Sequence, residues 1–360
     1  MDVREFDFDL PADLIAQEPA AERSGARLLH LDRSAGSIAH TTVGNLPTLL
    51  QAGDVVVVNN TRVFPARLLG RRVPSGGAVE CLLTAPLGTE GGRSGDEDVS
   101  VPTLWEALVH PGQKLKPGAR VVFDGPPTLH ADILERRFFG RRVVRLWTDD
   151  GSSVDAAIDA IGHVPLPPYI KRGDTVDDRD RYQTVFARSR GSVAAPTAGL
   201  HFTRPLLEAL AARGVMVAEI TLHVGYGTFQ PVRVDRVEDH RVEPERYAMD
   251  DRAASLVNRA LAEGRRVIAV GTTTTRTLEA VARAHDGRIV AGEGATDLFI
   301  YPGFEFRVIR GLLTNFHLPR SSLLMLVAAF AGQDRVRDAY AAAIEARYRF
   351  YSYGDAMLIT

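Results

Sequence analysis

The chain of 360 residues is long enough to bury a large core, and its length favours two domains. Its composition, 45% hydrophobic and 24% charged, is that of an ordinary globular protein, and it holds no apolar run long enough to span a bilayer as a helix. A net charge of −2 excludes a uniformly cationic nucleic-acid binder, though not a local basic patch, and the single Cys81 excludes an internal disulfide and a thiolate-rich zinc site. The amino terminus, MDVREFDFDLPADLIAQEP, is acidic and lacks the basic and apolar regions of a secretory signal, so a cytoplasmic location is expected. The basic residues are nearly all arginine, with lysine only at Lys114, Lys116 and Lys171. That bias fits GC-rich coding or bidentate phosphate recognition.

In chain order, Arg27 to Asp32 and Asp54 to Asn59 read as strands, the second entered through Gly53-Asp54 and left through a polar turn, Asn59 to Arg62. From Val63 to Leu146 short β-rich pieces alternate with Gly and Pro turns: AVECLLTA, LWEALVH, ARVVFDG, TLHADILE and RRVVRLW. This spacing predicts a small antiparallel barrel or sandwich. The stretch from Gly88 to Pro102 reads as a mobile loop without a motif. Strand and helix texture resumes at Ser153, so the β-rich unit reads as an insertion. Residues 1–62 and 150–360 then form a discontinuous α/β catalytic domain around an inserted barrel, 63–149. Asp155 to Ile161 predicts a short helix, GHVPLPPYIKR a proline-stiffened loop, and RPLLEALAARG an amphipathic helix stopped by Gly214. A strand (VMVAEITLHV), a helix (Asp250 to Glu263), a buried strand (RRVIAVG) and a helix (TTTTRTLEAVARAH) follow. VIRGLLTNFHLP is a strand and loop, RSSLLMLVAAFAG an apolar helix after a serine cap, and Asp334 to Tyr348 the last helix. The alternation argues for a layered α/β domain with a mixed or parallel sheet.

Two Gly-rich loops, AAPTAGLHF and TLHVGYGTFQPV, carry His201 and His223 one helix apart. Each combines an imidazole with hydroxyls and with glycines that let a ligand approach the backbone. His240 and His317 extend the set. The spacings match no zinc pattern, so proton transfer is expected and a metal is not. In AVGTTTTRT a buried strand runs into a helix start, where Gly271, Thr272, Thr273 and Arg276 could hold a carboxylate or phosphate. Neither a Walker loop nor GxGxxG is present, which argues against an ATP or NAD enzyme. Phe202, Tyr226, Phe229 and Phe316 are core residues or stacking partners for a purine. Arg62, Arg67, Arg71, Arg72 and the run Arg136 to Arg142 (RRFFGRR) suit single-stranded RNA by phosphate contact and stacking, or form a solvated strand face. Asn60 and Arg62 lie at a strand end, where α/β sheets present ligand contacts.

The strings VVNNTRVFPARL, GHVPLPPYI, AAPTAGLHF, TLHVGYGTFQPV, VIAVGTT, IYPG, LLTNFHLP, LLMLVAAFAG and YRFYSYGDAMLI are similar, in order and nearly end to end, to those of the S-adenosylmethionine:tRNA ribosyltransferase-isomerases of queuosine biosynthesis. The resemblance implies a three-layer α/β domain with a mixed sheet and an inserted, RNA-facing β-barrel. It implies transfer and isomerisation of the ribosyl part of S-adenosylmethionine onto 7-aminomethyl-7-deazaguanine at the wobble position of a tRNA with a GUN anticodon. Epoxyqueuosine-tRNA, adenine and methionine would be the products. S-adenosylmethionine would be a consumed co-substrate, with no cofactor or metal, and the protein a monomer. On that basis His201 and His223 are expected to share the proton work, with Glu245 or His317 next. Asn60, Arg62 and Asn315 would orient ribose hydroxyls or the target base. Gly225, Gly227, Thr228 and the Gly271 turn would bed the donor, with Thr197, Gly199, Tyr226, Phe229, His240, Thr272, Thr273 and Arg276 as further substrate contacts. One pocket, built from the two histidine turns and the Asn60–Arg62 corner, is the expectation. The chain departs from the family pattern H-x-M-H-x-E, since HRVEPE places Glu243 where the second histidine stands. Two rival readings remain at this stage: an RNA-binding module without catalysis, and a nucleoside hydrolase-like enzyme cleaving free S-adenosylmethionine.

Overall fold

The computed structural model describes residues 1–89, 102–229 and 231–360. The expected mobile loop, Gly88 to Pro102, lies almost wholly outside the described residues, and so does the Phe229 side chain. The chain opens with β1 (Arg27–Asp32), β2 (Ser37–Thr42), a one-turn helix α1 (Leu46–Leu49) and β3 (Val55–Asn59). After β4 (Thr61–Val63) come β5 (Arg67–Val73), β6 (Ala78–Thr89), β7 (Thr103–His110), β8 (Arg120–Phe123), β9 (Leu129–Arg136) and β10 (Arg141–Thr148). Helices α2 (Val154–Ile161) and α3 (Asp178–Arg181) and strand β11 (Ser189–Ser192) lead back to α4 (Arg204–Ala212) and β12 (Met216–Leu222). Then follow β13 (Glu245–Met249), α5 (Asp251–Ala262), β14 (Val267–Val270), α6 (Thr272–Ala284), β15 (Gly292–Thr296) and β16 (Gly311–Asn315). Helices α7 (Ser322–Ala331) and α8 (Gln333–Glu345) and strand β17 (Ala356–Ile359) close the chain.

The four valines of β3 show how the large sheet is built. Alternate side chains of a strand point to opposite faces. Val55 and Val57 join one hydrophobic core, and Val56 and Val58 another. The same division recurs in β14, where Val267 and Ala269 face one way and Ile268 and Val270 the other. Both faces are therefore covered, α5 to α8 packing on one and α1 and α4 on the other, which gives three layers. The sheet has nine strands in the order β15-β13-β12-β3-β14-β16-β17-β1-β2 and is mixed. Its centre, β12, β3, β14 and β16, is parallel, while β17 runs antiparallel to β16.

Strands β5 to β10 close into a six-stranded antiparallel barrel, the closed alternative of the two that the spacing predicts. Closure leaves no open strand edge, and Leu68, Leu83, Ala107, Val121, Ala131 and Val144 fill the interior. Helix α2 packs Val154, Ala157 and Ile158 onto the same core. The chain enters the barrel from β4 and returns through β11, and these two strands pair in parallel. Among the described residues no helix is long and apolar enough to cross a membrane.

Candidate active site

Four parallel strands present their carboxyl ends along one edge of the sheet, where open α/β sheets place ligands. A cavity opens there. Its wall is built from Gly271 to Thr273 at the start of α6, Thr314 to Leu318 after β16, Ala194 to Ala198, and Tyr169 beside Tyr351. Helix α6 begins at Gly271 with φ +90° and no side-chain cap, so the first-turn N–H groups are left for another acceptor. Two of the four threonines fold back on their own helix, Thr274 Oγ1 donating to Val270 O and Thr275 Oγ1 to Gly271 O. Thr273 Oγ1 does not; it is buried without a partner among the described residues. Asn315 Nδ2 donates to the carbonyls of Tyr351 (3.1 Å) and Asp355 (3.4 Å). Those bonds fix the amide, so Asn315 Oδ1 faces away from them, buried and unpartnered. The Tyr351 hydroxyl is a third such atom in the same wall. An unsatisfied buried polar atom costs roughly 1–3 kcal/mol. Tyr351 sits at φ +74° and stacks on Tyr169 at 4.4 Å, and Tyr169 lies against the Ser352 hydroxyl. Burial pushes both phenols up, so they keep their protons.

Past Thr228, Pro231 and Leu323 the cavity becomes a charged trough lined by Asp239, His240, Glu243, Glu245 and Arg276. Beyond Glu243 it meets the barrel at Glu106, Arg137, Phe138 and Arg141. Arg276 is not open to an anion, as the sequence suggested. It is buried, donates to Glu245 Oε2 at 2.5 Å and to Leu298 O at 2.8 Å, and clamps α6 onto β13. Glu245 is committed in the same way. Besides Arg276 it accepts from Gly225 N (2.9 Å) and Thr228 Oγ1 (3.3 Å), so it holds the 225–228 loop.

The four histidines separate. His317 lines the cavity, with Nε2 2.8 Å from Thr314 Oγ1, and burial lowers its pKa to about 3. His240 lines the trough edge-on to Phe299, half-buried, with its pKa lowered by burial and then by Arg241. His201 lies behind Asn315, whose Nδ2 donates to its Nε2 at 3.2 Å, and it borders a small recess beside Arg23 and Tyr353. Burial lowers its pKa to about 4. Val224 lines the cavity, but His223, one residue earlier, does not. Its Nδ1 lies 2.9 Å from Thr61 Oγ1 and its ring over Gly191, where a Cβ would come within 2.8 Å. Both histidine turns thus reach the cavity, through Thr197 and Ala198 and through Val224 and Thr228, but neither His201 nor His223 lines it, and nor do Asn60 and Arg62.

The other expected contacts also divide. Thr197, Thr228, Gly271, Thr272, Thr273 and Asn315 line the cavity, and Gly225 and Gly227 line the trough. Asn60 is buried and tied to its own sheet, accepting from Thr221 Oγ1 (2.7 Å) and donating to Glu219 Oε2 (3.1 Å). Arg62 is exposed on β4, away from the trough wall. Tyr226 is half-buried in the 225–228 loop. Gly199 packs under Phe186 and Thr184. Phe202 and Phe316 are fully buried. The barrel arginines are mostly neutralised: Arg67 by Glu80, Arg71 by Asp124, and Arg141 by Glu106 and Glu243, while Arg142 is buried on backbone carbonyls. Tyr169, Tyr351 and Ser352 come from the strings PLPPYI and YSYG but were not singled out in the sequence. The dense aromatics and prolines around them were the only signal.

Fold and cavity together define an α/β protein with a cavity at the carboxyl ends of the parallel strands of a mixed sheet and an inserted antiparallel barrel beside it. The chain belongs to the queuosine biosynthesis protein family, whose model matches residues 3–359. A relative from Heliobacterium modesticaldum, named S-adenosylmethionine:tRNA ribosyltransferase-isomerase, is 49% identical over 359 residues and 100% of both chains. One of the same name from Sorangium cellulosum is 50% identical over 363 residues, 98% of this chain and 97% of the relative. A crystal structure described as S-adenosylmethionine tRNA ribosyltransferase from Thermotoga maritima matches 99% of this chain and 100% of its own at 38% identity, with a TM-score of 0.54.

Proposed function

We propose that the protein transfers and isomerises the ribosyl moiety of S-adenosylmethionine onto the aminomethyl group of 7-aminomethyl-7-deazaguanine in the wobble position of a GUN-anticodon tRNA, releasing adenine and methionine. The observation that supports this reading is that cavity, trough and barrel face adjoin, the first two sharing Thr228, Pro231 and Leu323 and the last two Glu243. A small donor enters the neutral end, and a nucleic-acid base reaches it from the barrel end. The sulfonium acidifies the adjacent ribose methylene, and the aminomethyl nitrogen must be neutral to attack, so a proton acceptor is needed near neutral pH. His240 suits that task. It lies half-buried in the trough, and Asp239 beside it favours an incoming ammonium. His317 is held too far toward its neutral form to exchange protons readily and acts as a fixed hydrogen-bond partner of the donor. His201 and His223 act through Asn315 and Thr61. The donor is consumed, and the reading needs no cofactor, metal or second subunit; it places the protein in the cytoplasm with its tRNA.

The test uses S-adenosylmethionine labelled separately in pentose and methyl, with and without precursor-bearing tRNA. Pentose label on the tRNA, with adenine release only when that tRNA is present, is the expected result. Methyl label on the tRNA, or equal adenine release without it, overturns the reading.

A further inference from the structure

Helix α7 borders two separate hollows. Leu323 and Leu326 line the trough, whereas Leu324 and Ala328 form the floor of a groove between α8 and the amino-terminal segment 5–9. On α8 this groove is bordered by Val336, Arg337, Tyr340, Ala341, Ile344 and Glu345. That spacing is one continuous helix face about 14 Å long, the face that a helix offers to another helix. Val336 and Tyr340 are buried at its base, Ile344 is half-buried and Ala341 is exposed, so the face is only partly covered. Ala328 and Ala341 are small and let a second backbone come close.

The rim is acidic. Glu5, Asp7, Asp9 and Glu345 stand around the apolar floor against one base, Arg337, which pairs with Asp334 outside the groove at 2.8 Å. Glu5 accepts from Asp2 N at 2.8 Å, and Asp7 meets Arg320 at 3.4 Å. Among the described residues no ion pair or hydrogen bond engages the side chain of Asp9 or Glu345. Such a rim repels nucleic acid and an anionic membrane surface. It also opposes a second copy laid face to face on the same groove, since two acidic rims would then meet. It favours a cationic occupant.

We propose that this groove docks a basic amphipathic helix of a partner protein. The apolar stripe of that helix lies against Phe8, Ala341 and Ile344, and its flanking lysines or arginines meet Asp9 and Glu345. It rests on Tyr340, whose hydroxyl accepts from the His317 N–H at 2.9 Å, so one hydrogen bond separates the docked helix from the wall of the cavity.

The test titrates the full chain with a fluorescent synthetic helix of leucine and lysine, about 15 residues long, and with the same sequence carrying glutamate for lysine. Anisotropy should show the lysine peptide binding at least about tenfold more tightly than the glutamate one. Ala341→Trp, which fills the groove, should weaken the lysine peptide at least about tenfold, and Glu345→Lys three- to tenfold. Glu208→Lys, an exposed position on α4 at the other face of the sheet, should leave binding as it was. All three substitutions lie at exposed positions, so thermal midpoints should match the parent chain. Equal affinity for the two peptides, wild-type affinity in Ala341→Trp, or a loss in Glu208→Lys as large as that in Glu345→Lys overturns the proposal. So does sedimentation showing that the parent chain self-associates without peptide and Ala341→Trp does not, which would give the groove to a second copy.

Discussion

Two imidazoles are buried in their neutral form, and this ties the site to the stability of the molecule. Burial lowers His201 to about 4 and His317 to about 3, against about 6.5 in an unfolded chain. Above pH 6.5 neither ring is protonated in either state, and their contribution is fully present. Below it the unfolded chain binds protons that the folded one refuses, so stability is lost as pH falls, first through about 4 for His201 and then through about 3 for His317. Each ring contributes a slope of up to about 1.4 kcal/mol per pH unit in its window. His223 and His240 add smaller shifts of the same sign. The expected outcome is a thermal midpoint flat near pH 7 and falling steadily between pH 6 and 4. His317→Gln, whose amide can still reach Thr314, flattens that decline. An unchanged pH slope in the variant would show that the ring is charged in the folded protein.

At the level of elements, the junction of β14 and α6 does most to shape the cavity. Gly271 holds φ +90° and ψ 156°, a region essentially closed to other residues and costing of order 1–3 kcal/mol to force. There is room for a methyl group, since a Cβ would lie 3.7 Å from Ala198 and 3.8 Å from Thr273 Oγ1. Gly271→Ala therefore loses roughly that much stability through the backbone alone, with a larger loss in donor KM than in kcat because the helix start turns away from the cavity. This junction was legible in the sequence: VIAV is apolar throughout, and a glycine followed by hydroxyls announces a strand ending on a helix. The covered faces of β3 and β14 were legible for the same reason. Edge strands were not. In β15, GEGAT, and β2, SIAHTT, exposed residues carry no apolar alternation, and backbone pairing alone makes the strand. The barrel was legible as texture, its closure only in three dimensions. In the site, Thr273 was legible as a hydroxyl at a helix start and His317 as an imidazole in a loop, while Asn315 came only with the family resemblance. Glu245 and Arg276 were found as residues, but their burial against each other was invisible. The directions of His201 and His223 depend on which way a loop leaves its strand, and residue type does not encode that. Tyr351 was missed because a buried tyrosine looks like core until its hydroxyl proves to lack a partner.

For the whole molecule, the question is what sets the barrel against the α/β domain. Glu243, standing where the family pattern has a histidine, pairs with Arg141 of β10, and Arg141 also binds Glu106 of β7 at 2.5 Å. The Glu243 carboxylate is 47% exposed, so its pair contributes no more than about 1 kcal/mol to folding. Its position gives it a different importance, since it spans the point where the trough passes from one domain to the other. A weak, exposed pair at the seam between barrel and sheet bears more on how the two are aligned than on the stability of either. Glu243→Ala should therefore leave the thermal midpoint nearly unchanged and the KM for S-adenosylmethionine unaltered, while raising the KM for tRNA several-fold. Arg141→Ala should do the same and somewhat more, because Glu106 loses a partner as well. The double variant should be no worse than Arg141→Ala, since the two residues act through one contact and their effects cannot add. Additive losses in tRNA KM would mean that each residue meets the RNA separately, and the link between the domains would then have to be sought elsewhere along the barrel.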